Sequence, residues 1–104
     1  MREIAIDIIK EELEKRGIEV KKVILFGSRA RGNAKPDSDW DFLIVVDKDM
    51  TPREKREIAS NIRLRLVYSE ILADILIISE GQFNERLNDI GYITYYAVKE
   101  GIEL

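Results

Sequence analysis

Apolar positions near the start of the chain recur every three or four residues, with charged residues between them. Over residues 2–16 this spacing predicts an amphipathic helix that packs one face on the rest of the protein. The apolar positions are Ile6, Ile9 and Leu13, with Ile4 and Ile8 beside them. Gly17 is placed to end this helix, because glycine adopts the left-handed conformation that follows a helix C-terminus at little cost.

Three continuous apolar runs predict three strands, at about 20–26, from near Asp39 to Val46, and at about 71–78. About a dozen residues join the first two strands, which is barely enough for a parallel crossover. We therefore expect a short helix over 28–32, a loop through Pro36 and antiparallel pairing. A full helix joins the second and third strands, which predicts a parallel pair. The third run is nearly all aliphatic and predicts a strand covered on both faces.

The helix between the second and third strands has a distinct start signal. Thr51, Pro52 and Glu54 form a capping box with proline at the first helical position. We expect this helix to continue to about Tyr68 and to bury Ile58, Ile62 and Leu66. Its basic residues are Arg53, Lys55, Arg56, Arg63 and Arg65. We interpret them mainly as a solvated face, with a phosphate or partner contact as the alternative.

The C-terminal quarter predicts a helix over 82–88, a second over 90–100 that Asp89 starts and Gly101 stops, and a short strand at 102–104. Three tyrosines crowd the last helix: Tyr92, Tyr95 and Tyr96. Half-buried packing is the ordinary role of such residues, and an exposed pair at an interface is the alternative. The fold class is therefore α+β with a mixed sheet, in one domain over residues 1–104.

Composition narrows the class of protein. The 104 residues are 45% apolar and 36% charged, which fits one soluble globular domain, and no apolar run approaches the length of a membrane span. With no signal peptide and no cysteine we expect a cytoplasmic protein. Without histidine, a general base must be a carboxylate, lysine or tyrosine. The net charge of −3 argues against direct nucleic-acid binding.

The candidate chemistry lies between the first two strands, in the stretch GSRARGNAKPDSDWD. Asp39 and Asp41 are two residues apart at the start of a strand, so they project from the same face about 7 Å apart. Such a carboxylate pair suits Mg²⁺. Gly27 and Ser28 form a turn whose N–H groups and hydroxyl can bind phosphate oxygens. Together they are the minimum for Mg²⁺-assisted chemistry on a nucleoside triphosphate.

Asp74 interrupts the aliphatic third strand and should lie near a cation or at an opening, because an unpaired buried carboxylate is costly. The parallel pairing places it at the same sheet edge as Asp39 and Asp41.

Each candidate also has an ordinary structural role. Gly27 and Ser28 can form a simple turn, and Asp39 can cap local backbone. Of Arg29 and Arg31, we expect one to reach phosphate and the other to be solvated, and we favour Arg29. Trp40 and Phe42 alternate with the aspartates and should point into the core.

The segments GSRARG, SDWDF and ADILI resemble the nucleotidyltransferase superfamily of the DNA polymerase β type, and more closely the small stand-alone minimal nucleotidyltransferases. The resemblance covers essentially the whole chain. It implies a mixed three-stranded core sheet in the order 1-2-3 with helices packed on it. The family's phosphate-binding pair falls on Gly27 and Ser28, its metal ligands on Asp39 and Asp41, and its third carboxylate on Asp74.

The resemblance also implies a function and a partner. Minimal nucleotidyltransferases are often paired with a HEPN-domain toxin, and the better-understood members act as the antitoxin by adenylylating a toxin tyrosine with ATP. For this chain we therefore expect two Mg²⁺ ions on Asp39, Asp41 and Asp74, and ATP phosphates on Gly27, Ser28 and Arg29. Asp74 is the candidate base. A chain of this size leaves no room for an acceptor-binding domain, which favours a protein acceptor.

Two alternatives remain at this stage. The chain could neutralise a partner by occlusion without catalysis, or transfer a nucleotide to a small molecule. A homodimer and a hetero-oligomer are both compatible with the sequence.

Overall fold

The computed structural model describes all residues from 1 to 104. The helices are α1 (Arg2–Glu14), α2 (Ser28–Arg31), α3 (Pro52–Tyr68), α4 (Glu80–Arg86) and α5 (Ile93–Glu100). The strands are β1 (Val20–Phe26), β2 (Trp40–Val46), β3 (Ala73–Ser79) and β4 (Ile102–Glu103). No helix is both long and apolar enough to cross a membrane.

The four strands form one mixed sheet in the order β3-β2-β1-β4. β1 is antiparallel to both β2 and β4, while β2 and β3 are parallel. The predicted core order and both predicted pairings are confirmed, and the terminal strand β4 adds to the free side of β1. Connection length explains the pairings, because a short link reverses the chain and the α3 crossover returns it in the same direction.

The two faces of the sheet are covered unequally. The α1 and α3 helices pack on one face and enclose a core of 17 buried residues, whereas α4 and α5 enclose only six on the other. Phe42 belongs to the larger core and Leu43 to the smaller. Because side chains alternate along a strand, Asp41 faces the thinly covered side with Leu43.

The aliphatic sequence of β3 predicted a strand covered on both faces, and this prediction is wrong. Asp74 and Leu76 are exposed, while Ile75 and Ile77 are buried against the larger core. The reason is that α4 and α5 cover only the far end of the second face. The strand also begins at Ala73 rather than near residue 71. Asp74 therefore lies at an opening, one of the two situations that its sequence context predicted.

The apolar stripe of α1 is rotated from the predicted one. Ile8, Ile9 and Leu13 are buried as expected and Ala5 joins them, whereas Ile6 is only partly buried and Ile4 is 45% exposed. Beyond the helix, Gly17 has a φ of 73°. Its N–H donates to the Glu14 carbonyl and that of Ile18 to the Leu13 carbonyl, which is the Schellman pattern expected of a terminating glycine.

The capping box that predicted α3 is present. The Glu54 N–H donates to Thr51 Oγ1, and the Thr51 N–H donates to Glu54 Oε1, each at 3.2 Å. The predicted core positions of this helix, Ile58, Ile62 and Leu66, are all buried.

The last two helices begin elsewhere than predicted. α4 begins at Glu80 because Ser79 and Gln82 form a second capping box. α5 begins at Ile93, not at residue 90. Asp89 does not start it, because its carboxylate accepts a hydrogen bond from the Gly91 N–H at 2.9 Å and closes a turn instead.

Candidate active site

The turn after β1 brings backbone and carboxylate into contact. Gly27 has φ 74° and ψ −157°, a conformation that only glycine adopts readily. A β-carbon built on Gly27 would collide with a carboxylate oxygen of Asp41 and lie 3.1 Å from its carboxyl carbon. Glycine is therefore required twice here, for its backbone conformation and for the space that Asp41 occupies. The turn also ends β1 directly beside the start of β2.

α2 begins immediately after Gly27 at Ser28. The Gly27 carbonyl accepts hydrogen bonds from the N–H groups of Ala30 and Arg31, each at 3.1 Å. In this geometry the first N–H groups of the helical turn have no intrahelical carbonyl to bind. The half-buried Ser28 hydroxyl stands at the same end of the turn. The Gly27 and Ser28 turn can therefore offer hydrogen-bond donors close to the carboxylate of Asp41.

The structure brings Asp41 and Asp74 to one face of the sheet, with Asp39 close enough for its charge to act on Asp41. Asp41 and Asp74 are direct register partners in the parallel pair of β2 and β3, so their α-carbons are about 5 Å apart and their side chains share a face. Asp39 precedes Asp41 by two residues. The pKa of the Asp41 carboxyl is raised, first by burial and then by the negative charges of Asp74 and Asp39, while Arg31 acts in the opposite direction.

These carboxylates fit a divalent cation that arrives with a substrate. None of the three belongs to an ion pair with lysine or arginine. The structure holds no group of three or more acidic side chains already arranged to bind a metal ion by themselves. Mg²⁺ is commonly held by one or two carboxylates, with water and substrate phosphates completing its octahedron. The donor set therefore suits Mg²⁺ bound jointly with a nucleotide.

Arg29 is engaged with the loop that carries Asp39. Its Nη2 donates to the carbonyls of Ser38 at 2.8 Å and Pro36 at 3.2 Å, and its guanidinium lies 5.0 Å from the centre of the Trp40 ring. Trp40 is partly buried and packs against the larger core, whereas Phe42 lies fully inside that core. The guanidinium thus holds both ends of the segment containing Asp39.

Arg31 is the arginine whose charge acts on Asp41. It also pairs with Glu100 at the end of α5, at 3.4 Å between two partly exposed side chains. The sequence analysis favoured Arg29, not Arg31, as the arginine that reaches phosphate. Glu100 gave no local signal, because its contact with Arg31 joins segments 69 residues apart.

The match to a family model agrees with the fold and the site. Residues 7–102 match the family described as polymerase beta, nucleotidyltransferase. Since this match covers most of the chain, the protein belongs to that family.

Among curated proteins, the chain is similar to a putative protein adenylyltransferase, MJ0604, from Methanocaldococcus jannaschii. The two are 39% identical over 69 residues, which is 66% of this chain and 64% of the relative. The matched region thus spans slightly less than two-thirds of that relative's length.

Solved structures share the fold. A chain of a toxin–antitoxin crystal structure with AMP-PNP superimposes with a TM-score of 0.64 at 16% identity, covering 93% of this chain and 69% of that one. A chain from the complex of tri-AMPylated Shewanella oneidensis HEPN toxin with MNT antitoxin gives a TM-score of 0.61 at 14% identity, covering 99% and 71%. At these identities the likeness establishes the common fold.

Proposed function

We propose that this protein is a Mg²⁺-dependent nucleotidyltransferase that transfers AMP from ATP to a hydroxyl group, a tyrosine of a HEPN-domain toxin. The observation that carries the proposal is the position of Asp41, between the Gly27 turn and Asp74. Family membership and the similarity to a putative protein adenylyltransferase support it. Use of ATP is compatible with the cytoplasmic location that the sequence predicts.

In this proposal the three carboxylates have different roles in metal binding and proton transfer. Asp39, Asp41 and Asp74 would hold two Mg²⁺ ions together with the triphosphate. Such ions would supply charge neutralisation for the phosphates and would favour ionisation of the acceptor hydroxyl. Asp74 is the candidate general base that takes the proton from the acceptor hydroxyl. The acceptor oxygen then bonds to the α-phosphorus as the bond from that phosphorus to the bridging oxygen breaks, and pyrophosphate leaves.

The Gly27 and Ser28 turn binds the β- and γ-phosphates through backbone N–H groups and the Ser28 hydroxyl. Arg29 was assigned to the same phosphates from the sequence. Its bonds to two loop carbonyls support a positioning role instead, in which it holds Asp39 in place. Arg31, whose charge acts on Asp41, is then the arginine available to the nucleotide.

The test is transfer of label from α-labelled ATP to a co-purified HEPN-domain protein. Asp41→Ala should fold and lose at least about 100-fold in transfer rate, because the cation loses a central ligand. Asp37→Ala, an exposed acid in the same loop, is the control and should retain the wild-type rate. Wild-type-like transfer by Asp41→Ala would remove the metal assignment.

A non-catalytic antitoxin that occludes its partner is the second candidate, because structural likeness to toxin–antitoxin complexes is compatible with either mode. Replacement of Asp39, Asp41 and Asp74 together by alanine separates the two. Catalysis predicts that this variant no longer neutralises the partner and adds no AMP to its mass. Occlusion predicts continued neutralisation with the partner's mass unchanged.

A further inference from the structure

A groove runs along the outer side of β3, between that strand and α3. It consists of two adjoining cavities of about 530 and 220 Å³ that share Arg63. On the helix side it is lined by Arg56 and Leu64, among others, and on the strand side by Leu72 and Leu76. The groove therefore follows the strand from Leu72 onward.

The strand beside this groove has a free edge. In the order β3-β2-β1-β4, β3 pairs only with β2. From Leu72 to Ile77 the strand rises about 17 Å, which matches an extended segment of five or six residues. Unpaired N–H and C=O groups on such an edge are a common template for binding an extended peptide.

The lining combines apolar surface with positive charge. Leu64 and Leu72 are 57% and 55% exposed, which is unusual for large aliphatic residues that neighbour each other. Lys55, Arg56 and Arg63 lie along the same groove, and none of them forms an ion pair. The only acidic residue in either lining is Asp39. The groove thus complements an acidic segment that also carries apolar or aromatic side chains.

One end of the groove reaches the reaction centre. Asp39 lines the larger cavity, and the Trp40 N–H donates to the Leu72 carbonyl at 2.8 Å, which fixes Asp39 beside the strand edge. Asp74 lies two residues further along β3. The Gly27 turn ends β1, so the carboxylates stand between the phosphate-binding turn and the groove. A nucleotide at the turn and an acceptor in the groove would meet at these carboxylates from opposite sides.

We propose that this groove binds the acceptor protein through an extended, acidic, tyrosine-bearing segment laid along β3, with its hydroxyl directed to the Asp39 end. The inference rests on the proposed function and names the acceptor class for the same site. The groove's continuity with Asp39, together with its three cations that lack an ion-pair partner, favours an acceptor over a second copy of this chain.

The probe for the test is an acidic random copolymer of glutamate and tyrosine. A basic copolymer of lysine and tyrosine is the comparison of opposite charge. The groove variants are Arg63→Glu and Leu64→Asp. Lys10→Glu and Ile90→Asp, at exposed positions on α1 and in the loop before α5, are the matched controls. Two quantities are measured: binding of labelled copolymer without ATP, by fluorescence anisotropy, and the KM of AMP transfer for copolymer and for ATP.

We expect the acidic copolymer to bind and to accept AMP better than the basic one. Each groove variant should raise the KM for the acidic copolymer about tenfold and leave the KM for ATP unchanged, while the controls behave as wild type.

Three outcomes would overturn the docking proposal. The first is that the groove variants leave the KM for the copolymer unchanged. The second is that they raise the KM for ATP in proportion to that for the copolymer, which would identify a nucleotide subsite. The third is that they change only the oligomeric state, which would identify a self-association surface. A wild-type protein that transfers no AMP to any acceptor would contradict the proposed function. The anisotropy measurement would still test whether the groove binds the acceptor. Absence of copolymer binding, or equal binding by wild type and Arg63→Glu, would exclude the groove as the acceptor site.

Discussion

Gly27 joins two requirements at a single residue. Its backbone adopts a region of φ and ψ in which other residues are strained by about 1–3 kcal/mol. The space where its side chain would stand is filled by the Asp41 carboxylate. The proposed phosphate-binding turn and the proposed metal ligand are thus coupled by direct contact, so a change in one displaces the other.

Gly27→Ala should therefore lower the free energy of unfolding by about 1–3 kcal/mol and reduce AMP transfer by about 100-fold. Gly32→Ala is the matched control, because Gly32 also has a positive φ of 79° but a β-carbon there meets nothing within 4 Å. Gly32→Ala should lower the free energy of unfolding by only about 1 kcal/mol and leave AMP transfer near the wild-type rate. Urea denaturation and initial rates give the two quantities. Equal losses of activity in both variants would contradict the coupling to Asp41.

Arg29 offers a second prediction at this scale. Arg29→Lys keeps the charge but loses the planar fork that reaches the Ser38 and Pro36 carbonyls. If Arg29 positions Asp39, the Mg²⁺ concentration for half-maximal transfer should rise several-fold, while nucleotide affinity measured without Mg²⁺ stays unchanged. Calorimetric titration with and without Mg²⁺ measures both. A fall in Mg²⁺-free nucleotide affinity would instead assign Arg29 to the phosphates.

Among the elements, α1 and α3 are joined by an ionic cluster around one buried carboxylate, which their apolar stripes did not predict. Glu12 is 3% exposed and lies 2.9 Å from Lys15, 3.1 Å from Arg16 and 3.3 Å from Arg65 of α3. Burial acts to raise the pKa of this carboxyl, but hydrogen bonds from the three cations together lower it. The ionised form is therefore favoured in the folded protein.

Glu12→Gln should lower the free energy of unfolding at neutral pH by about 1–3 kcal/mol, since it removes a buried charge whose partners remain. The folded-state pKa lies below the unfolded one, so the contribution is present above about pH 4.3 and is lost as the pH falls through the folded value. Glu14→Gln, on the exposed side of α1, is the control. Urea melts at several pH values test this, and a difference that persists in strong acid would contradict it.

Local signals fixed some element boundaries and not others. The capping box at Thr51 predicted the start of α3 because its hydrogen bonds involve residues close in sequence. Asp89 misled the prediction for α5, since an aspartate can equally well close a turn, as it does here with Gly91. The same residue type serves both structures, and the packing of the following segment decides between them.

The whole molecule is a sheet closed on one face and half open on the other. The open half carries Asp41 and Asp74, and the pKa of Asp41 is raised by burial and by its acidic neighbours. A concentration of unpaired negative charge is unfavourable to the fold until a cation and a nucleotide reach it. Ligand binding should therefore stabilise the entire domain, not only the loop around the site.

An ATP analogue with a carbon bridge between its α- and β-phosphates tests this linkage. With Mg²⁺ and at 100 times its dissociation constant, it should stabilise the protein by about 2.7 kcal/mol, which raises Tm by roughly 10–20 °C for a domain of this size. The same concentration without Mg²⁺ should give a much smaller shift, and Asp41→Ala should lose the Mg²⁺-dependent part. Thermal melts measure it, and equal shifts with and without Mg²⁺ would contradict a joint site.

The sequence by itself determined the strands, the main helices, the sheet pairings and the alignment of Asp41 with Asp74. Each follows from information that is local along the chain. The spacing of apolar residues distinguishes helix from strand, and the length of a connection specifies whether two strands pair parallel or antiparallel. The alternation of side chains along a strand predicts that Asp39 and Asp41 share a face. The parallel register then aligned Asp74 with Asp41.

Only the tertiary structure decided which surfaces remain open and which partners distant side chains take. The exposure of Asp74 and Leu76 depends on how far α4 and α5 extend over the sheet, which no pattern within β3 records. The separate roles of Arg29 and Arg31 depend on the fold of one loop and on Glu100 far along the chain. Such contacts are set by packing between segments, and a local pattern carries no information about them.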